Sequence, residues 1–154
     1  MITRLIYYLL LAGPIVLLSC GKDNGSGNNT PASSFTWTYD GVTYTAKTDT
    51  AFNSTPIYTF TAPVILATQG SRFYAPSPEL YIFLASLTPG AYGFTGSGTN
   101  QLNYVDPLGF NRDGVSGSLN ITSNASSRLA GNFSITLTNG KVLTGSFSNV
   151  PIQP

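Results

Sequence analysis

The chain has 154 residues, 42% hydrophobic and only 8% charged, with seven Lys+Arg, six Asp+Glu, no His and one Cys. A typical domain carries about 25% charged residues, so no basic face is available for nucleic acid, and the absent His excludes His-based triads, acid/base pairs and metal sites. The length suits one domain that can bury a core without disulfides.

Arg4 precedes an apolar run from Leu5 to Leu18, interrupted only by Gly13 and Pro14. That is short of the roughly 20 apolar residues needed to span a bilayer, and it matches the roughly 7–15 of a secretory leader. Residues 1–19 are therefore read as a signal peptide. Leu17-Leu18-Ser19-Cys20 resembles the bacterial lipobox, in which the Cys is acylated and becomes the new N-terminus. The resemblance implies lipidation of Cys20 and a membrane partner reached through that anchor. Several acyl chains hold stably where one would not. Gly21 rather than Asp after the Cys implies sorting to the outer membrane. Gly21-Lys22-Asp23-Asn24 resembles the charged tract of surface-exported Bacteroidota lipoproteins, although it is less acidic. Without Arg4, six basic side chains balance six acidic ones, so lipid and not charge would hold the mature chain. Residues 20–34 have no apolar period and read as a lipidated Cys followed by a Gly/Ser/Asn tether.

From residue 35 to 154 the pattern is that of one all-β domain, with no helical period. Phe35, Trp37 and Tyr39 alternate with threonines, as do Val42, Tyr44 and Ala46 after Asp40-Gly41. Asp-Gly is a strong type I′ hairpin signal. It predicts Tyr39 opposite Val42, Trp37 opposite Tyr44 and Phe35 opposite Ala46, with one apolar and one hydroxyl face. Further strands are predicted over 57–61, 64–68, 79–87, 91–95 and 102–105. The segment 80–87 is apolar on both parities apart from Ser86, as in a strand covered on both faces.

In the last third, a two-residue Asn139-Gly140 turn would put the flanking apolar residues on opposite faces. A three-residue loop with Gly140 in the left-handed position instead pairs Ile135 with Leu143 and Phe133 with Gly145. If the preceding hairpin is symmetric about Ala125, Phe133 also lies opposite Gly117, and its ring covers glycine on both neighbours. About nine short strands, joined by Asp-Gly, Asn-Gly and Pro-Gly turns, predict an antiparallel β-sandwich or flattened barrel.

Phe35-x-Trp37, Asp40-Gly41, Tyr44-x-Ala46, Leu87-x-Pro89-Gly90-x-Tyr92, Gly117-x-Leu119-x-Ile121, Gly131-x-Phe133-x-Ile135 and Gly145-x-Phe147 span roughly residues 35–150. In these elements the chain resembles a family of small Bacteroidota lipoproteins of unknown function. The resemblance implies a location and a β fold but carries no activity and no functional residue.

Asp106 and Asp113 bracket a loop in which Asn111-x-Asp113-Gly114 looks like half a calcium site. Gly109 stands where another carboxylate is needed, so an Asx-stabilised turn is the expectation, with no metal and no cofactor. A glycosidase pair would have to come from Asp40, Asp49, Glu79, Asp106 and Asp113. Three of these, Asp40, Asp106 and Asp113, sit in turn-like contexts, and no enzyme is expected. Tyr92, Phe94, Tyr104 and Phe110 lie near Gly-, Ser- and Asn-rich loops and are the candidate glycan-binding rings, against the plainer reading that they pack a sheet. Trp37 is assigned to the core. Asp49-Thr50-Ala51 resembles the acceptor for O-glycosylation of exported Bacteroidota proteins, which makes Thr50 a candidate modification site. The expected role is non-enzymatic interaction with an envelope protein, through a sheet edge or the hydroxyl-rich face, with carbohydrate binding as the alternative.

Overall fold

A computed structural model describes residues 31–57, 60–70 and 77–153. The expected leader 1–19, Cys20 and the tether as far as residue 30 lie outside the described residues. The described chain is all strand and turn. Its strands are β1 (Ser34–Tyr39), β2 (Val42–Thr45), β3 (Thr48–Ile57), β4 (Phe60–Thr68), β5 (Glu79–Phe83), β6 (Gly90–Phe94), β7 (Gln101–Val105), β8 (Asn111–Ala125), β9 (Arg128–Leu137) and β10 (Val142–Gln153).

The architecture is the all-β flattened barrel that the turns imply. Strands β3, β4, β5, β7, β8, β9 and β10 close a ring, and β1, β2 and β6 extend one side of it. That side is an antiparallel sheet ordered β2-β1-β10-β9-β8-β6. The other side is β3-β4-β5-β7. β8, with 15 residues, and β10, with 12, pass from one side to the other. Both change register on the way, β8 between Gly114 and Ser116 and between Ile121 and Ser123, β10 between Phe147 and Val150. Bulges let a strand turn such a corner. The ring closes through a parallel rung, Ile152 with Ala51 and Gln153 with Phe52, in a fold expected to be antiparallel throughout.

Local chemistry explains most of the registers. Asp40 and Gly41 have φ of 53° and 77°, as a type I′ turn demands, and Tyr39 faces Val42 while Trp37 faces Tyr44. At the β9–β10 turn Gly140 has φ 77° and donates to the Leu137 carbonyl at 2.8 Å. Ile135 accordingly meets Leu143, and Phe133 meets Gly145. The β8–β9 hairpin differs from its expected symmetry. Its turn is Ser126-Ser127, at φ 52° and 56°, so Phe133 faces Leu119 and Gly117 faces Ile135. Two serines in the left-handed region are an uncommon turn, and the bulge at 121–123 shifts the pairing again. The expected strand 57–61 straddles a hairpin, because Ile57 ends β3 opposite Phe60 at the start of β4. β3 begins at Thr48, in a Thr/Asp stretch with no apolar alternation to reveal it. β5 stops at Phe83, beyond which the Leu84 amide turns to the Pro63 carbonyl. Glu79, Leu80, Tyr81 and Ile82 are all buried, as in a strand covered on both faces.

The interior is filled by apolar side chains from both sides of the barrel. Phe35, Trp37, Leu143, Phe133, Ile135 and Leu119 meet Ile65, Leu80, Ile82, Leu102 and Tyr104 there. Phe35 stacks on Phe147 at 5.3 Å, and Tyr39 touches Tyr104 at 4.9 Å. Binding therefore has to use the outside of the barrel.

Candidate functional site

Three turns converge at one end of the barrel: Asp40-Gly41, the β7–β8 loop at 106–110, and the β9–β10 turn at 138–141. They frame a cleft of about 320 Å³ lined by Tyr39, Asp40, Val42, Tyr44, Asp106, Pro107, Leu108, Arg112, Asn139 and Lys141. β1 runs from Ser34 to Tyr39, so the cleft lies at the Tyr39 end of that strand.

Asp106 organises the loop. Its Oδ1 accepts from the amides of Leu108 at 2.9 Å and Phe110 at 3.0 Å, and its Oδ2 accepts from Arg112 Nε and Nη2, both at 3.1 Å. The backbone closes the same turn, with Gly109 N–H donating to the Asp106 carbonyl and Gly109 at φ 85°. Asp106 is 2% exposed and fully engaged, and Asp113 accepts from Asn103 Nδ2 at 2.9 Å. Among the described residues no three His, Cys, Asp or Glu side chains are grouped for a metal. This is Asx-type loop stabilisation.

Above Asp106, the Arg112 guanidinium lies 5.1 Å from the centre of the Phe110 ring, a cation–π contact. Across the cleft Lys141 pairs with Asp40 and sits 5.6 Å from the Tyr39 ring. The bond to Asp40 raises the Lys141 pKa. Asn139 Nδ2 donates to the Tyr39 hydroxyl at 2.9 Å. Burial, followed by the nearby Tyr39, Asp106 and Asp40, raises the Tyr44 phenol. Leu108, Phe110, Val42 and Val142 are exposed by 76%, 55%, 51% and 50% around this end. The cleft offers ring edges, amide and hydroxyl groups, ion-paired cations and an apolar rim. These are binding groups, and its two carboxylates are already committed to cations.

The four candidate glycan rings are not brought together. Tyr104 is fully buried under Tyr39, and Phe94 is 3% exposed in the core. Strand alternation explains both, since Tyr104 shares its parity with the inward Leu102 in β7, and Phe94 faces Gly117 across β6 and β8. Tyr92 is half-buried against the core, with its hydroxyl donating to the Thr88 carbonyl at 2.6 Å. Only Phe110 is exposed, in the loop that frames the cleft. Burial pushes the Tyr104 phenol well up, while the neighbouring Trp37 indole pulls it down by less. Trp37 Nε1 and the Tyr104 hydroxyl nonetheless make no hydrogen bond of normal geometry among the described residues.

Thr50 lies within β3, half-buried, and its hydroxyl donates to the Pro151 carbonyl at 3.3 Å. Asp49 accepts from Ser33 at 2.8 Å. Glu79 accepts from the Tyr81 hydroxyl at 2.9 Å inside the covered face of β5. The hydroxyl face expected of β1 and β2 extends over five strands of the sheet, from β2 to β8. Register aligns Thr43, Thr38, Thr144, Ser134 and Ser118 in one row, and Thr45, Thr36, Ser146, Asn132 and Asn120 in the next. Neither row contains a charge, and Thr38 and Thr43 are hydroxyl-bonded at 3.0 Å.

Sequence reasoning missed Val42, Leu108, Arg112, Asn139 and Lys141 as one site. The available signal was Leu108 and Phe110, two large apolar residues in a Pro/Gly/Asp loop. Comparisons with family models, curated proteins and solved structures find no match for this chain.

Proposed function

We propose that this is a lipid-anchored lipoprotein of a bacterial outer membrane whose β domain is a non-enzymatic module, docking an envelope or surface protein with the turn end of its barrel. One observation carries the docking reading: Val42 and Leu108 are exposed in the lining of the Tyr39/Asp106 cleft, and Phe110 is exposed in the loop that frames it. Large apolar groups gathered at one surface mark interaction sites, and aromatic and Arg side chains are the usual anchors. The lipobox-like Cys20 and the tether supply the anchor.

The test is site-specific photo-cross-linking in cells from positions 107 and 139 in the cleft, with position 118 on the hydroxyl face as control. A discrete adduct from the first two positions, lost in Leu108→Ser/Phe110→Ser and absent from the third, supports docking. Equal labelling from all three refutes it. Cys20→Ser should release the chain from membranes, and retention without acylation refutes the anchor.

The second reading is a carbohydrate-binding module, favoured by the uncharged hydroxyl and amide rows and not by Tyr92, Phe94, Tyr104 and Phe110. Glycan-array hits lost in Asn120→Ala/Asn132→Ala and kept in Leu108→Ser would establish it over protein docking.

A further inference from the structure

Among the described residues the larger sheet ends on one side at β2, which pairs only with β1. Antiparallel pairs alternate between residues that exchange backbone bonds and residues that do not. Ala46 N–H donates to the Phe35 carbonyl at 2.8 Å. The bonded partners are therefore Phe35 with Ala46, Trp37 with Tyr44 and Tyr39 with Val42. It follows that the N–H and C=O groups of Thr43 and Thr45 point away from the sheet.

The opposite edge, β6, is covered. Asn100 Nδ2 donates to the Gly93 carbonyl at 3.0 Å, and its Oδ1 accepts from the Ala85 amide at 2.9 Å, so one side chain caps the edge and ties it to the chain after β5. β2 carries no charge, proline or bulge, the usual devices that keep an edge from pairing.

We infer that β2 pairs with β2 of a second copy of this chain, antiparallel, about a two-fold axis through Tyr44. The segment Val42-Thr43-Tyr44-Thr45-Ala46 has the same chemistry in both directions. With Tyr44 opposite Tyr44 of the second copy, Thr43 meets its Thr45 and Val42 meets its Ala46. Both outward-facing residues of each copy then exchange their backbone bonds. A shift by two residues keeps only one such pair, and a shift by one sets bonded groups against unbonded ones. In the central register the apolar residues share one face and the hydroxyls the other. Charge agrees: Asp40 precedes β2 and Lys47 follows it, so antiparallel pairing brings the acidic end of each strand alongside the basic end of the other. This is the self-complementary contact a two-fold dimer requires. It joins the two hydroxyl faces into one surface and sets the two clefts, each lined by Val42 and Tyr44, on either side of the axis. The inference does not depend on what the clefts bind.

Cysteine cross-linking of the full chain in membranes tests it. Directly opposed residues that exchange no bonds have Cα atoms about 4.5 Å apart, within disulfide range. Tyr44→Cys should therefore give a disulfide dimer on mild oxidation, with the parent chain, whose one cysteine is Cys20, as blank. Since Tyr44 also stacks on Trp37, a second pair guards against misfolding: Val42→Cys and Ala46→Cys should cross-link when co-expressed and not singly. Thr43→Pro removes an outward N–H and no backbone bond within the sheet, with loss of the exposed Thr38–Thr43 hydroxyl bond, and should lower the cross-linked fraction at least tenfold. No dimer from either cysteine set overturns the inference, as does cross-linking unchanged by Thr43→Pro. A Thr43→Cys dimer stronger than the Tyr44→Cys dimer overturns the register.

Discussion

Gly145→Ala probes how β9 and β10 are locked together. Phe133 lies opposite Gly145, and Phe147 lies opposite Gly131, so each strand lends a ring to a bare position on the other. A Cβ on Gly145 would stand 2.6 Å from Phe133 Cε1 and 2.6 Å from the Thr36 carbonyl of β1. Phe133 is 4% exposed and packs 6.0 Å from Phe35, so the ring has little room to yield. Overpacking of this kind costs about 1–3 kcal/mol. Phe133→Leu should cost about 1–3 kcal/mol through lost burial and the residual cavity. The added methyl would occupy part of the space the ring vacates. The double variant should therefore be more stable than the sum of the singles by about 0.5–2 kcal/mol, the remaining deficit being the Thr36 contact. Urea unfolding followed by fluorescence measures all four corners, because the sole tryptophan, Trp37, is buried 6.1 Å from the Phe35 ring. Additivity within about 0.5 kcal/mol would refute ring-over-glycine packing as the lock.

Tyr104→Phe removes a buried hydroxyl that makes no hydrogen bond of normal geometry among the described residues and should leave stability at pH 7 unchanged or raise it by about 1 kcal/mol. The same residue sets an alkaline limit. Its pKa is raised in the fold, so the unfolded chain, with tyrosines near 10, loses the proton first. Stability should hold below about pH 10 and fall as pH rises above it. In Tyr104→Phe that fall should be shallower, and urea midpoints at two pH values on either side of 10 would decide it. Asp106→Ala strips partners from two loop amides and from Arg112 and should cost about 2–3 kcal/mol. It should also free the Phe110 loop to exchange amide hydrogens faster, and unchanged protection at 108–110 would contradict the loop account. Gly140→Ala meets open space but must hold φ at 77°, so a loss of about 1–2 kcal/mol is expected. An unchanged unfolding midpoint would mean that the turn tolerates another geometry.

Much of the fold is legible in residue types because β-hairpin chemistry is local. Asp40-Gly41 and Gly140 sit where left-handed backbone is needed, and apolar alternation beside them leaves one register that buries a single face. Ser126-Ser127 adopts the same backbone conformation without the glycine that announces it, and Gly117 was misplaced as a result. The candidate site was less legible. Phe110 could be picked out as an aromatic in a polar loop, but Tyr104 has the same neighbours in sequence and is buried by strand parity. Asp106 offered a half calcium motif, and only the approach of Arg112 and two loop amides shows how its oxygens are used.

The amino-acid sequence by itself determined the β class, the turns that glycine marks and the inward faces of β1, β9 and β10, since each depends on φ, on alternation and on neighbours a few residues away. Tertiary structure decided that β10 bends at its bulge and closes the ring in parallel against β3. It decided that three turns far apart in the chain share one end, and that of the two edges of the larger sheet one is capped by Asn100 while β2 is left open. These outcomes depend on where distant strands meet. That is a matter of packing the whole core, and no local pattern encodes it.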